Sequence, residues 1–205
     1  MALFRFGQSS EPTPLVRGEG LYLRPADMGD YDAWAALRAE SRDFLVPWEP
    51  IWPSDDLTRP AFRRRLRRYR EEALDDESWH FLIFRNSDNA LLGGLTVGNI
   101  RRGVAQTATL GYWMGQPHAG RGHMTRAVRA IAGHAFSSLR LHRLEAACIP
   151  ENAASGLLLE RNGFTREGFA RAYLRINGAW RDHNLYALLE SDAMPGVLKT
   201  VPKPL

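Results

Sequence analysis

A strand-forming run, Thr107 to Trp113, leads into Pro117-His118-Ala119-Gly120-Arg121-Gly122-His123-Met124-Thr125, and a strongly periodic segment follows. Strand, glycine turn and helix N-terminus, in that order, make a binding place for a pyrophosphate. The glycines let backbone come close to the ligand, and the unpaired N–H groups of the first helical turn point at the anion. Arg121 adds a positive charge at the same place. The helix is predicted from spacing: Met124, Val128, Ile131, Ala135 and Leu139 recur at steps of three or four, and Ala132 and Phe136 widen the stripe. Two familiar phosphate turns do not fit. There is no Gly-Lys-Ser/Thr ending, and position 125, where a dinucleotide fingerprint carries its third glycine, is Thr. The strands ahead of the turn also read as antiparallel hairpins rather than as parallel strand–helix units. On these residues alone, an ordinary glycine turn before a helix remains the alternative.

After the helix come a strand candidate, Leu141 to Ile149, and then Pro150-Glu151-Asn152-Ala153-Ala154-Ser155-Gly156-Leu157-Leu158-Leu159-Glu160-Arg161-Asn162-Gly163-Phe164, a short helix closed by Asn-Gly. With these segments in order, the chain resembles the GNAT superfamily of N-acetyltransferases. The glycine turn looks like that family's acetyl-CoA pyrophosphate loop, and Asn152 to Phe164 looks like its second cofactor-side motif. Gly111-Tyr112-Trp113-Met114, Pro47-Trp48-Glu49-Pro50 and Tyr173-Leu174-Arg175-Ile176-Asn177-Gly178-Ala179-Trp180-Arg181-Asp182-His183 are similar to the branch of RimJ-type ribosomal-protein alanine N-acetyltransferases. The likeness covers roughly residues 20 to 190.

The resemblance implies an α/β (α+β) fold, with a mixed, mostly antiparallel central sheet splayed at the acetyl-CoA site and helices on both faces. It implies acetyl-CoA as cofactor, held by Tyr112, Trp113, Met114, His118, Ala119, Gly120, Arg121, Gly122, His123, Met124, Thr125, Asn152 and Arg161. Two places depart from the family pattern: Pro117 and Ala119 stand where Gln or Arg is usual. Backbone amides carry most of such a loop, so cofactor binding is expected to survive. The tyrosine that many members use as general acid is replaced by Leu159. The RimJ/RimL resemblance points instead to Ser155, one turn after Asn152, as the catalytic pair.

A 205-residue chain is long enough for one domain with a sizeable core. The expected division is a GNAT domain over 20–190 between loosely ordered tails, 1–19 and 191–205. No run of 18 apolar residues predicts a membrane span, and the N-terminal residues lack a signal peptide's continuous apolar region. The single cysteine, Cys148, excludes an intrachain disulfide and reads as a buried small hydrophobe. A cytoplasmic protein, monomer or dimer, is expected. Six histidines invite a metal hypothesis, but none shows zinc-site spacing, so no metal is expected.

The coarse reading is a strand at Leu21 to Pro25, a helix at Asp27 to Ser41, and a proline- and aromatic-rich loop at Arg42 to Leu57. A helix capped by Thr58 follows, with the stripe Phe62, Leu66, Tyr69 and Ala73. Strands come next at His80 to Arg85, Leu91 to Asn99 and Thr107 to Trp113, then the elements above, and last a hairpin about Asn177-Gly178. The Thr58-capped helix carries Arg59, Arg63, Arg64, Arg65, Arg67, Arg68 and Arg70, with acids only at Glu71 and Glu72. Such a face is a solvated surface or an attractant for RNA phosphates.

Chemistry narrows the acceptor. Trp48 and Glu49 in the proline-rich loop, with Tyr173, Asp182 and His183, are candidate substrate-binding residues, Glu49 attracting a protonated amine. The strand Gln106 to Met114 holds no carboxylate to act as a strong base. Glu49, Glu151 and Asp182 remain as water-mediated proton acceptors. An α-amine, with a pKa near 8, is about 10% neutral at pH 7, whereas less than about a thousandth of a lysine is. The acceptor is therefore expected to be a protein's N-terminal alanine or serine, plausibly ribosomal. The alternatives are a small-molecule amine, or a non-catalytic ribosome- or RNA-associated protein of the same fold.

Overall fold

The computed structural model describes residues 15–193. One eight-stranded sheet runs in the order β1-β2-β3-β4-β5-β6-β8-β7. Its strands are β1 (Val16–Gly18), β2 (Leu21–Arg24), β3 (Trp79–Arg85), β4 (Leu91–Arg101), β5 (Thr107–Met114), β6 (Arg143–Cys148), β7 (Thr165–Ile176) and β8 (Ala179–Leu189). The helices are α1 (Tyr31–Glu40), α2 (Arg42–Leu45), α3 (Arg59–Leu74), α4 (His123–Ser137), α5 (Ala153–Arg161) and α6 (Glu190–Ala193).

Every neighbouring pair is antiparallel except β5 and β6, which are joined through the crossover helix α4. That one parallel pairing is short. Only Thr107–Thr109 align with Arg143–Glu145. Leu110 to Met114 and Ala146 to Cys148 then have no partner on each other, while β4 continues along β5 and β8 along β6. The sheet is thus mixed, mostly antiparallel, and splayed between β5 and β6.

Each face of the sheet has its own core. On one, Met124, Val128, Ile131, Ala132, Ala135 and Phe136 of the predicted α4 stripe, joined by Ala127, pack on Leu21, Leu23, Ile83, Leu95 and Leu144, while Leu139 of that stripe lies past the end of α4 and is partly buried. On the other, α1 and α3 place Trp34, Leu37 and Phe62 against Leu82, Phe84 and Leu91. Alternation along β5 follows: Tyr112 and Met114 pack toward the α4 core and Trp113 toward the α1/α3 core. Of the predicted α3 stripe only Phe62 is fully buried, with Trp34 tilted against it at 4.8 Å between ring centres.

Three expectations need correction. The segment Arg42 to Leu57, read as loop, begins with α2 and a 3-10 turn at Val46–Trp48, because Leu45 finds a buried place that loop-like prolines hid. Within the expected N-terminal tail, Val16–Gly18 is the sheet's edge strand, with Val16 buried; three residues are too few for periodicity to reveal. Glu190–Ala193, partly assigned to the C-terminal tail, forms α6. The rest of both expected tails, 1–14 and 194–205, lies outside the described residues.

The caps are as the residue types require. Thr58 accepts from the N–H of Ala61 at α3. At the end of α5, Phe164 donates to the carbonyl of Leu159 and Gly163 to that of Glu160, with Gly163 at φ 86°; this is a Schellman closure. Asn177 and Gly178 both take positive φ, as a two-residue type I′ hairpin needs.

Candidate active site

The glycine turn is built as its letters imply. Gly120 and Gly122 have φ of 72° and 73°. Gly122 is the left-handed N-cap of α4 and offers no side-chain cap to the first turn. Open space surrounds the place where a Cβ on Gly120 would sit. The helix therefore presents backbone donors to an unobstructed surface, with the exposed Arg121 between the two glycines. His118 has a buried Nδ1 without a partner, and His123 Nδ1 accepts from Arg126 Nη2 at 2.8 Å. Burial, helped by nearby arginines, lowers both imidazoles from their usual value. Met124 turns into the core, so only its backbone belongs to the turn. These features fit a pyrophosphate. The turn is braced from behind, where Gln116 N–H donates to Ser41 Oγ at 2.8 Å.

The splay holds the second group of residues. Asn152 caps α5, its side chain accepting from Ser155 N–H at 3.1 Å. This sets Ser155 toward β5, where its hydroxyl and that of Tyr112 share a hydrogen bond of 2.7 Å. Burial pushes the Tyr112 phenol well above its usual value, so it keeps its proton. Buried Cys148 borders the same hydroxyls, and burial raises its thiol too. Leu159, which replaces the usual tyrosine, is wholly buried. Arg161 is exposed at the opposite end of α5 from Ser155.

The opposite face of β5 joins the predicted Glu49 and Trp113 to Arg38 and Trp52, to which sequence reading gave no site role. Arg38 donates from both terminal nitrogens to the two oxygens of Glu49, each at 2.7 Å, and Trp52 Nε1 donates to Glu49 at 2.7 Å. The Arg38 guanidinium lies 4.0 Å from the Trp52 ring centre and 4.9 Å from that of Trp113. Gly94 is what admits the Trp113 indole, since a Cβ there would collide with it. The Glu49 backbone carbonyl also accepts from Asn177 N–H at 2.8 Å, docking the β7–β8 hairpin on this loop. Glu49 is therefore a bound partner of Arg38, not the free carboxylate the sequence suggested. A signal existed: Arg38 sits four residues after Trp34, on the apolar side of its helix.

The remaining predicted substrate residues divide. Trp48 and Tyr173 are exposed, whereas His183 is buried under the edge of Tyr173, 5.7 Å away. Asp182 accepts from Ala172 N–H at 2.7 Å and holds a bulge of β7 in which Ala172 takes φ 47°.

Residues 20–165 match the family described as Acetyltransferase (GNAT) domain. The chain is 40% identical over 178 residues to the Bacillus subtilis protein named Probable N-acetyltransferase YjcK, covering 87% of this chain and 98% of that one. It is 37% identical over 169 residues to the Escherichia coli [Ribosomal protein uS5]-alanine N-acetyltransferase, covering 82% and 87%. The solved structure of Mycobacterium smegmatis RimJ in complex with CoA-disulfide superimposes with a TM-score of 0.81 at 33% identity, covering 87% of each chain. Glycine cradle, splayed strands and matching relatives agree: this chain belongs to the GNAT family and is an acetyl-CoA-dependent N-acetyltransferase of RimJ/RimL type.

Proposed function

We propose that the acceptor is the N-terminal α-amine of a ribosomal protein beginning with alanine or serine. One observation carries this reading. All three carboxylates that sequence offered as proton acceptors are engaged: Glu49 by Arg38 and Trp52, Glu151 by Arg181 at 3.2 Å, and Asp182 by the Ala172 N–H. A lysine ammonium needs a strong base, whereas an α-amine near pH 7 needs at most a weak one such as a neutral imidazole. The E. coli relative's name, an alanine N-acetyltransferase of a ribosomal protein, accords with it.

Acetyl-CoA supplies a thioester whose carbonyl accepts the amine and whose thiolate departs. The chain supplies positioning and protons. First-turn amides of α4 and the two glycines hold the pyrophosphate. A backbone N–H from the Tyr112–Met114 stretch, past the last pairing of β5 with β6, would be the donor to the thioester oxygen. Ser155, backed by Tyr112, donates toward the departing sulfur. Turnover with peptides differing only in the first residue, and mass spectrometry of ribosomal proteins treated with the enzyme, test the acceptor. Alanine and serine peptides are expected to be preferred. If a lysine or a free polyamine is acetylated while no N-terminus changes, the acceptor is wrong.

The arginine helix refines the partner. Its cations are less free than the helix alone suggests, because three acids from elsewhere in the chain join one of its own. Arg59 pairs with Asp32, Arg64 with Asp55, Arg65 with Asp56 and Arg68 with Glu72. Arg63, Arg67 and Arg70 have no ion pair among the described residues, are exposed, and fall at i, i+4 and i+7 on one face. This stripe suits RNA phosphates flanking the substrate. Replacing all three by glutamine is expected to spare a free peptide and to weaken action on ribosomal particles. The slope of log rate against log salt should fall by about two to three, one arginine accounting for roughly 0.7–0.9. An equal loss on peptide and particle would remove RNA from the account.

A further inference from the structure

Where α3 crosses β3 and β4, one strand away from the splay, three polar side chains form a chain that the acetyl-transfer site does not use. Glu72 of α3 lies 2.5 Å from His80 Nε2, and His80 Nδ1 lies 3.0 Å from Thr96 Oγ1. Tyr69 stacks on the imidazole at 3.6 Å between ring centres, fixing its plane. The order of donors follows from valence. A carboxylate only accepts, so His80 carries its proton on Nε2. Nδ1 is then a lone pair, and the Thr96 hydroxyl donates to it. This leaves the Thr96 oxygen able to accept from something else.

The sheet shows what could reach it. Phe81 and Ile83, like Leu95 and Val97, pack into the α4 core, so His80 and Thr96 point to the other face. Thr96 is the register partner of Gly111 on β5, and neighbouring strands lie about 5 Å apart. Gly111 is exposed, puts no side chain in the way, and lies beyond the last residue of β5 that pairs with β6. A cavity on this face is lined by Arg65, Tyr69, His80, Thr96 and Trp113. Tyr112 and Ser155 serve the leaving-group side of β5; the row Gly111–Thr96–His80 lies on the side of Trp113 and Arg38.

We propose that Thr96 receives the proton of the acceptor amine and passes its own to His80, with Glu72 holding the resulting imidazolium. The balance is simple. The N–H proton of the ammonium goes to Thr96 Oγ1, the Thr96 hydroxyl proton goes to His80 Nδ1, and the amine lone pair is freed. His80 returns the proton to water beside the partly exposed Glu72. The groups facing the ring are Glu72, Tyr69, Arg65 and Arg68 from α3 and the neutral Thr96 from β4. Burial, with the two arginines, keeps the imidazole below its usual value despite Glu72, so it is neutral and able to accept at pH 7. Thr96 would touch substrate; His80 and Glu72 act through it.

The relay rests on the α-amine reading, and the test separates the two. An alanine-first peptide is titrated with wild type, Thr96→Val, Thr96→Ser and His80→Gln. Without the relay only the already neutral amine reacts, about 3% of it at pH 6.5 and about three quarters at pH 8.5. Thr96→Val and His80→Gln should therefore lose roughly ten-fold in kcat/KM at pH 6.5 and less than about three-fold at pH 8.5, with Thr96→Ser near wild type. Nitrogen-15 NMR of the free protein should find His80 as the Nε2–H tautomer. A deficit equal at every pH, wild-type rates in Thr96→Val, or an Nδ1–H tautomer would overturn the relay. Wild-type preference among acceptors tests the α-amine reading separately.

Discussion

Gly122→Glu is expected to abolish acetyl-CoA binding, with affinity falling by more than roughly a hundred-fold, about 3 kcal/mol. Three effects add. Gly122 holds φ 73°, a conformation that costs a residue with a Cβ roughly 1–2 kcal/mol. The free protein can relieve that strain by leaving the shape the ligand needs. The new Cβ would sit 3.3 Å from the Arg126 guanidinium, crowding the first turn. Finally, the new carboxylate lies at the α4 N-terminus, where it is itself attracted by the helix dipole and so competes with the pyrophosphate for the same amides. Gly122→Ala carries only the first two effects and should fall between mutant and wild type. Titration calorimetry checks both, with thermal unfolding as the control for folding. Unchanged affinity in Gly122→Glu would remove the turn from cofactor binding.

What the sequence revealed, and what it hid, divides along the range of the interactions. The glycine turn, the α4 helix, the Asn162-Gly163 helix end and the Asn177-Gly178 hairpin are local: each is written in fewer than about twenty consecutive residues, and each formed as read. The proposed acceptor side is not local. Arg38, Glu49 and Trp113 come from three separate segments, and no spacing rule joins a helix arginine to a carboxylate in a distant loop. Glu72, His80 and Thr96 likewise come from α3, β3 and β4, and meet only when strand register is fixed. The charge on α3 failed for the same reason. Counting acids within the helix left out Asp32, Asp55 and Asp56, which cancel three of its arginines from outside. The short strand β1 was missed because three residues carry no period, although Val16 is buried in the core.

With Ser155 proposed as proton donor on one face of β5 and Thr96 as proton acceptor on the other, the prediction for Ser155 sharpens. Ser155→Ala is expected to lower kcat by roughly ten- to a hundred-fold with little change in acetyl-CoA affinity, at or below the edge of general-acid effects. A serine hydroxyl is a poor acid alone. Its 2.7 Å bond to Tyr112 changes its situation. The buried phenol keeps its proton, and with that proton directed at Ser155 Oγ the serine proton is free for the departing sulfur. Tyr112→Phe should then cost a smaller factor, roughly three- to ten-fold, because water can replace the lost donor only in part. The double variant decides whether the pair acts as a unit. If Tyr112 works through Ser155, Ser155→Ala/Tyr112→Phe turns over no more slowly than Ser155→Ala alone, a coupling that independent residues do not show. If the two losses multiply, Tyr112 has its own part in the reaction. If Ser155→Ala turns over at the wild-type rate, the proton for the leaving group comes from water, and Ser155 is left as the residue that Asn152 caps at the start of α5.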